Sequence, residues 1–131
     1  MEFKWVKLDT VLAMHKRQIA EHGGTDGIRD EGLLLSALAR PENLLAYGEN
    51  VDVAALAASY AFGIAKNHPF LDGNKRTAMV VAITFLNLNG SDFDAPSAET
   101  YIQFLGLAEG TVSEDKLASW FRERLIEIKT H

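Results

Sequence analysis

His68-Pro69-Phe70-Leu71-Asp72-Gly73-Asn74-Lys75-Arg76-Thr77 separates the two most apolar stretches of the chain. Pro69 cannot continue a helical ladder and disfavours helical backbone at His68, so a helix arriving from the N-terminal side must end here. Gly73 and Asn74 then mark a turn from which a second helix starts. The alanine-rich segment 53–67 precedes the break, with Leu56, Tyr60 and Ile64 among its small residues and Asp52 as its N-cap. About 74–89 follows it, closed by Gly90 and apolar on nearly every side (Ala78, Met79, Val80, Val81, Ala82, Ile83, Phe85, Leu86, Leu88). The two segments are expected to form a buried helical hairpin with the ten-residue stretch at its tip.

Outward from this hairpin the helical period continues, with no convincing strand alternation and no internal repeat. A first helix is expected from Asp9, as N-cap, to about His22, with Val11, Leu12, His15 and Ile19 on one face and Gly23-Gly24 as its stop. Asp30 begins a short helix carrying Leu33, Leu34, Ala37 and Leu38, expected to stop before Pro41. Residues 41–51 carry no clear period and are expected to form a loop long enough for a function of its own. Two further helices are expected over about 97–108 after Pro96 and 113–128 after Ser113. The fold expected is all-α, about six helices in a single domain spanning residues 1–131.

Composition sets the outer limits. A chain of 131 residues with 47% hydrophobic content can bury a substantial core and is too apolar for disorder. It has no cysteine, which removes disulfides and thiolate metal sites. Charges in Met1–Lys7 exclude a signal-peptide pattern there, and no apolar run reaches the roughly 20 residues a membrane helix needs. The expected location is therefore cytoplasmic, with no membrane partner. A net charge of −5 argues against a broad nucleic-acid surface.

The motif itself carries the chemistry. His68 has the side chain best suited to accept a proton near neutral pH, since imidazole titrates at about 6.5 when unperturbed. Asp72 is a carboxylate placed just before a helix start, where a divalent cation would reconcile it with anionic phosphates. Gly73 lets backbone approach a ligand, Asn74 supports the turn or donates from its amide, and Lys75 and Arg76 supply a point charge and a planar fork. With the free N–H groups of the helix start, these make a phosphate cradle. It is not the G-x-x-x-x-G-K-[ST] loop, whose spacing is absent. Phe70 is expected to point inward and pin the loop. Taken singly, His68, Asp72 and Asn74 would be caps or turn residues and Lys75-Arg76 a solvated pair. The combination at this spacing makes the phosphate site the stronger reading.

His-Pro-Phe-x-Asp-Gly-Asn-x-Arg resembles the signature of the Fic/Doc (death-on-curing) superfamily, all-α proteins that modify target hydroxyls using a nucleotide. Nucleotidylating Fic enzymes usually have glycine where this chain has Lys75, and a second arginine where it has Met79. The Asn-Lys-Arg-Thr version resembles the Doc branch, toxins of toxin–antitoxin pairs, while Pro69 and Gly73 are shared with nucleotidylating relatives. Gly27-Ile28-Arg29-Asp30-Glu31-Gly32-Leu33-Leu34 through Ala39-Arg40-Pro41 also looks Doc-like, so the resemblance covers roughly residues 9–90. It implies an ATP- and Mg2+-dependent kinase that phosphorylates a threonine of elongation factor Tu and halts translation. His68 would be the base and Asp72 the magnesium ligand. Gly73, Asn74, Lys75 and Arg76 would hold the nucleotide phosphates. AMP transfer to a protein hydroxyl is the enzymatic alternative, and a non-catalytic binding module is the alternative from another class.

The inhibitory helix of many Fic proteins, (Ser/Thr)-x-x-x-Glu-(Gly/Asn), has no match here. Glu31, Glu42, Glu49 and Glu109 are preceded at that spacing by Gly27, Leu38, Leu45 and Leu105. The resemblance therefore implies restraint in trans by a Phd-like antitoxin, through which alone DNA would be contacted. The first helix and the Trp120/Phe121 region are candidate antitoxin surfaces, each with a plainer reading as core. Residues 41–51 are a candidate clamp for the target peptide, or an ordinary loop anchored by Leu44, Leu45 and Tyr47.

Overall fold

A computed structural model describes residues 2–128. It is all-α apart from a two-stranded ribbon: α1 (Leu8–His22), α2 (Glu31–Tyr47), α3 (Val53–Asn67), α4 (Asn74–Leu88), β1 (Ser91–Phe93), α5 (Ser97–Glu109), α6 (Glu114–Arg124) and β2 (Leu125–Glu127). The centre is α3, which packs along α2, α4 and α6. Its alanines leave room for three neighbours, and Ala54, Leu56, Ala57, Ala58, Tyr60, Ala61 and Ile64 are all buried. Gly63 gives α2 the closest approach, since a Cβ there would sit 3.2 Å from Ala37 Cα. The α3–α4 hairpin expected from the sequence is present, with the motif at its tip.

Pro41 does not end α2. The helix runs through it to Tyr47, so residues 41–47 of the expected loop are helical. Leu34, Ala37 and Pro41 are buried along one face, and Leu44 and Leu45 continue it against the core. An interior proline costs about 3 kcal/mol. Burying several aliphatic side chains at about 1.5–3 kcal/mol each outweighs that. At its start the helix is as expected, with Asp30 accepting from Leu33 N–H at 2.9 Å.

Two other boundaries differ. The N-cap of α1 is Lys7 rather than Asp9, and it makes no side-chain cap. Asp9 instead lies in the first turn, where a carboxylate complements the helix dipole. The last helix stops at Arg124 rather than continuing to 128, and the chain turns extended to pair Ser91 with Glu127, Asp92 with Ile126 and Phe93 with Leu125. The ribbon carries Phe93 onto α6, with ring centroids 5.0 Å from Trp120 and 5.3 Å from Phe121. Trp120 and Phe121 are therefore core residues, and Trp120 Nε1 donates to Glu99 at 2.8 Å. Among the described residues no helix is long and apolar enough to cross a membrane.

Candidate active site

His68 is the C-cap of α3 and holds a left-handed backbone, φ 52° and ψ 53°. Its side chain is exposed, while its carbonyl accepts from Arg29 Nε at 2.7 Å. Arg29 Nη2 also donates to the Asn67 carbonyl, at 2.8 Å. The backbone of the α1–α2 connection adds to this clasp. Arg29 and Asp30 N–H donate to the Pro69 carbonyl at 2.7 and 3.0 Å, Leu71 N–H donates to Gly27 O at 3.0 Å, and Ile28 bridges Phe70. The segment that lies against the motif is thus residues 24–30.

Below the loop, Phe70 is fully buried and stacked on His15, ring centroids 3.8 Å apart and 8° from parallel. His15 Nε2 donates to the Asp72 carbonyl at 2.8 Å, and its Nδ1 lies 3.8 Å from Asp26 Oδ1. The sequence placed His15 on the buried face of α1 but gave no sign of this contact, which depends on chain 57 residues away. Asp72 is exposed, and its Oδ2 accepts from Thr25 N–H at 2.9 Å, which leaves Oδ1 available to a cation. Gly73, at φ +77°, makes the turn into α4. An L-residue pays a penalty there, and its Cβ would press on Ile19 Cδ1 at 3.2 Å.

Of the two roles the sequence leaves open for Asn74, turn support or donation from its amide, the side chain takes the first. It is buried and spends both ends of its amide on Phe70: Nδ2 donates to the carbonyl at 2.9 Å and Oδ1 accepts from the N–H at 3.0 Å. What Asn74 offers a ligand is its backbone N–H, one of the free donors of the first turn of α4. The intrahelical bonding of α4 begins with Thr77 N–H on Gly73 O at 3.0 Å.

One cleft of about 440 Å³ collects His68, Asp72, Gly73, Lys75 and Arg76. Its opposite wall comes from α5, through Tyr101, Ala108 and Glu109. The Arg76 guanidinium lies 5.7 Å from the Tyr101 ring centroid. Sequence reasoning missed this wall, because nothing local to α5 marks it. The cleft joins an imidazole, an exposed carboxylate, the positive end of a helix and two cations, groups of the kind that phosphoryl chemistry uses.

Comparison with known proteins gives the family. Residues 5–86 match the model of the Fic/DOC family. The chain belongs to this family. Across 87% of its length it is 33% identical to the protein kinase doc of Escherichia phage P1, over 115 residues that make up 90% of that protein. It is also 44% identical over 83 residues to the toxin Doc of Mycolicibacterium smegmatis, an alignment covering 59% of this chain and 63% of the relative. The Fic/DOC match takes in α1 through most of α4, and with them the whole motif and the 24–30 clasp.

Proposed function

We propose that the chain is the toxin of a toxin–antitoxin pair and acts as a protein kinase, transferring the ATP γ-phosphate to a hydroxyl of a translation factor such as elongation factor Tu. The observation that carries this reading is the gathering of His68, Asp72, Lys75 and Arg76 around one cleft at the start of α4. A relative named as a protein kinase, aligned over nearly its whole length, supports the kinase choice.

His68 takes the proton of the acceptor hydroxyl as its oxygen bonds to the γ-phosphorus. The bond from that phosphorus to the β-phosphate bridging oxygen breaks, and ADP leaves. The N–H groups opening α4, with Lys75 and Arg76, hold the phosphates and absorb the developing charge. Lys75 occupies space that glycine would leave to the phosphates, which favours presenting the γ- rather than the α-phosphorus. Tyr101 forms the far wall against which the rest of the nucleotide rests.

Asp72 fits a magnesium ligand, being an exposed carboxylate with one oxygen already fixed by Thr25. Among the described residues no three His, Cys, Asp or Glu side chains gather as a metal cage. A single carboxylate completed by substrate phosphates is the usual magnesium arrangement. The ion would neutralise charge on the transferring group.

A groove of about 450 Å³ between α1 and residues 26–28, with Leu12, Ala13, Ile28 and Phe70 as its apolar lining and His15, Lys16 and Asp26 as its polar one, suits an amphipathic helix of a Phd-like antitoxin. AMP transfer is the second reading, favoured by Gly73, which leaves the turn open to close phosphate approach. ATP labelled at the γ- or the α-phosphate, incubated with bacterial lysate, separates the two. The kinase reading expects protein label from the γ position only, and label solely from the α position overturns it.

A further inference from the structure

We infer that Arg29 is the positioning residue that fixes the His68 base. This rests on His68 being the base, and holds for phosphate or AMP transfer alike. His68 combines two disfavoured features, a left-handed φ of 52° and a following proline. Such a conformation persists only where surrounding contacts over-determine it.

Arg29 supplies those contacts. Its planar fork takes two consecutive carbonyls, Asn67 and His68, at 2.8 and 2.7 Å. These carbonyls are at the C-terminal end of α3, where orphan acceptors and the negative end of the dipole favour a cation. The Arg29 backbone is itself held, its N–H on Pro69 O, and the next residue, Asp30, caps α2 through Leu33 N–H. Asn67 Nδ2 closes the same junction by donating to Leu33 O at 2.9 Å. The start of α2 is thereby stitched to the end of α3 across the peptide units on either side of the His68 imidazole. Arg29 does not line the cleft of His68, Lys75 and Arg76, so its influence passes through the backbone of His68. Lysine offers one compact charge in place of a fork and cannot hold both carbonyls in this geometry.

The test compares Arg29→Lys, Arg29→Gln and Arg29→Ala with the wild-type chain. Steady-state transfer and NMR of the His68 imidazole in the resting protein are both recorded. The expected result is a fall in kcat of about ten- to a hundredfold, the scale of a misplaced catalytic group. KM for ATP stays within about twofold, because the phosphate cradle is untouched. The His68 imidazole signals shift or broaden while core methyl signals keep their positions. Added guanidinium restores part of the Arg29→Ala rate, and Arg29→Lys retains more activity than Arg29→Gln. Wild-type kcat with an unchanged His68 signal in Arg29→Gln overturns the assignment. So does a spectrum altered throughout the core, which would mark Arg29 as a general structural residue. If His68→Ala keeps full activity, the base reading fails instead, and the NMR effect of Arg29 on His68 separates that failure from this one.

Discussion

The amide of Asn74 is closed onto the backbone of Phe70, donating to its carbonyl at 2.9 Å and accepting from its N–H at 3.0 Å. This pair of bonds makes the motif a ring: the loop leaves α3, descends to the buried Phe70 and is returned to the start of α4 by a side chain four residues on. The asparagine serves the site by shaping the loop that presents Asp72 and Gly73.

Asn74→Ala leaves two polar groups of the Phe70 backbone unpaired in a buried setting. At about 1–3 kcal/mol for each such group, a loss of roughly 2–6 kcal/mol is expected. Urea unfolding measures it. A loss below about 0.5 kcal/mol, the scale of an ordinary surface change, would contradict the structural role.

Gly23 and Gly24 offer a paired test of how closely the clasp approaches Asp72. Both have positive φ, but a Cβ at Gly24 would lie 3.1 Å from Asp72 Cβ, whereas one at Gly23 meets nothing within 4 Å. Gly24→Ala is expected to raise the Mg2+ concentration needed for half-maximal transfer several-fold, on the order of 1 kcal/mol. Gly23→Ala should leave it unchanged, and a magnesium titration of both variants decides the matter.

Lys75→Gly tests the orientation argument. Opening this position should lower transfer from γ-labelled ATP by about tenfold or more, as expected for loss of a charge that acts on the transferring group. Label from the α position should appear or rise. Unchanged γ transfer would show that Lys75 does not set which phosphorus is presented.

Asp52 predicts how the fold responds to acid. It caps α3 through Ala55 N–H at 2.9 Å and pairs with Arg122 at 2.6 and 3.0 Å. The Arg122 hydrogen bonds, helped by that cap, hold its carboxyl below the ordinary carboxylate value. Its pKa is thus lower in the folded than in the unfolded chain. The stability it contributes is fully present above the unfolded value near 4 and is lost as pH falls through the folded one. The pair is exposed, so the cap is taken as the main contribution, about 1 kcal/mol. Asp52→Ala, which removes the cap, should unfold about 4 °C lower near neutral pH. That gap should narrow below pH ~4, where the wild-type carboxyl protonates. Thermal unfolding across pH 2–7 checks it, and a gap that widens in acid would contradict it.

Elements bounded by local chemistry were legible in the sequence. Asp52 and Pro69 bracket α3, and Gly73 and Gly90 bracket α4, so the hairpin and its tip could be placed without tertiary information. Pro41 misled because a local rule competed with a longer one: Leu34, Ala37, Pro41 and Leu44 keep a helical period through the proline, and packing on α3 prevails. The strands β1 and β2 left no trace, being three residues each and paired across most of the C-terminal region. At the site the motif supplied His68, Asp72, Gly73, Lys75 and Arg76. Its supports, Arg29, His15 and Tyr101, were hidden because each acts through a contact distant in sequence.

The most direct test of the central claim is mass spectrometry of purified elongation factor Tu after incubation with the chain, ATP and Mg2+, with His68→Ala in parallel. A gain of one phosphate on a threonine, lost with His68→Ala, is the result the account predicts. A gain of AMP, or modification that persists without His68, would contradict it.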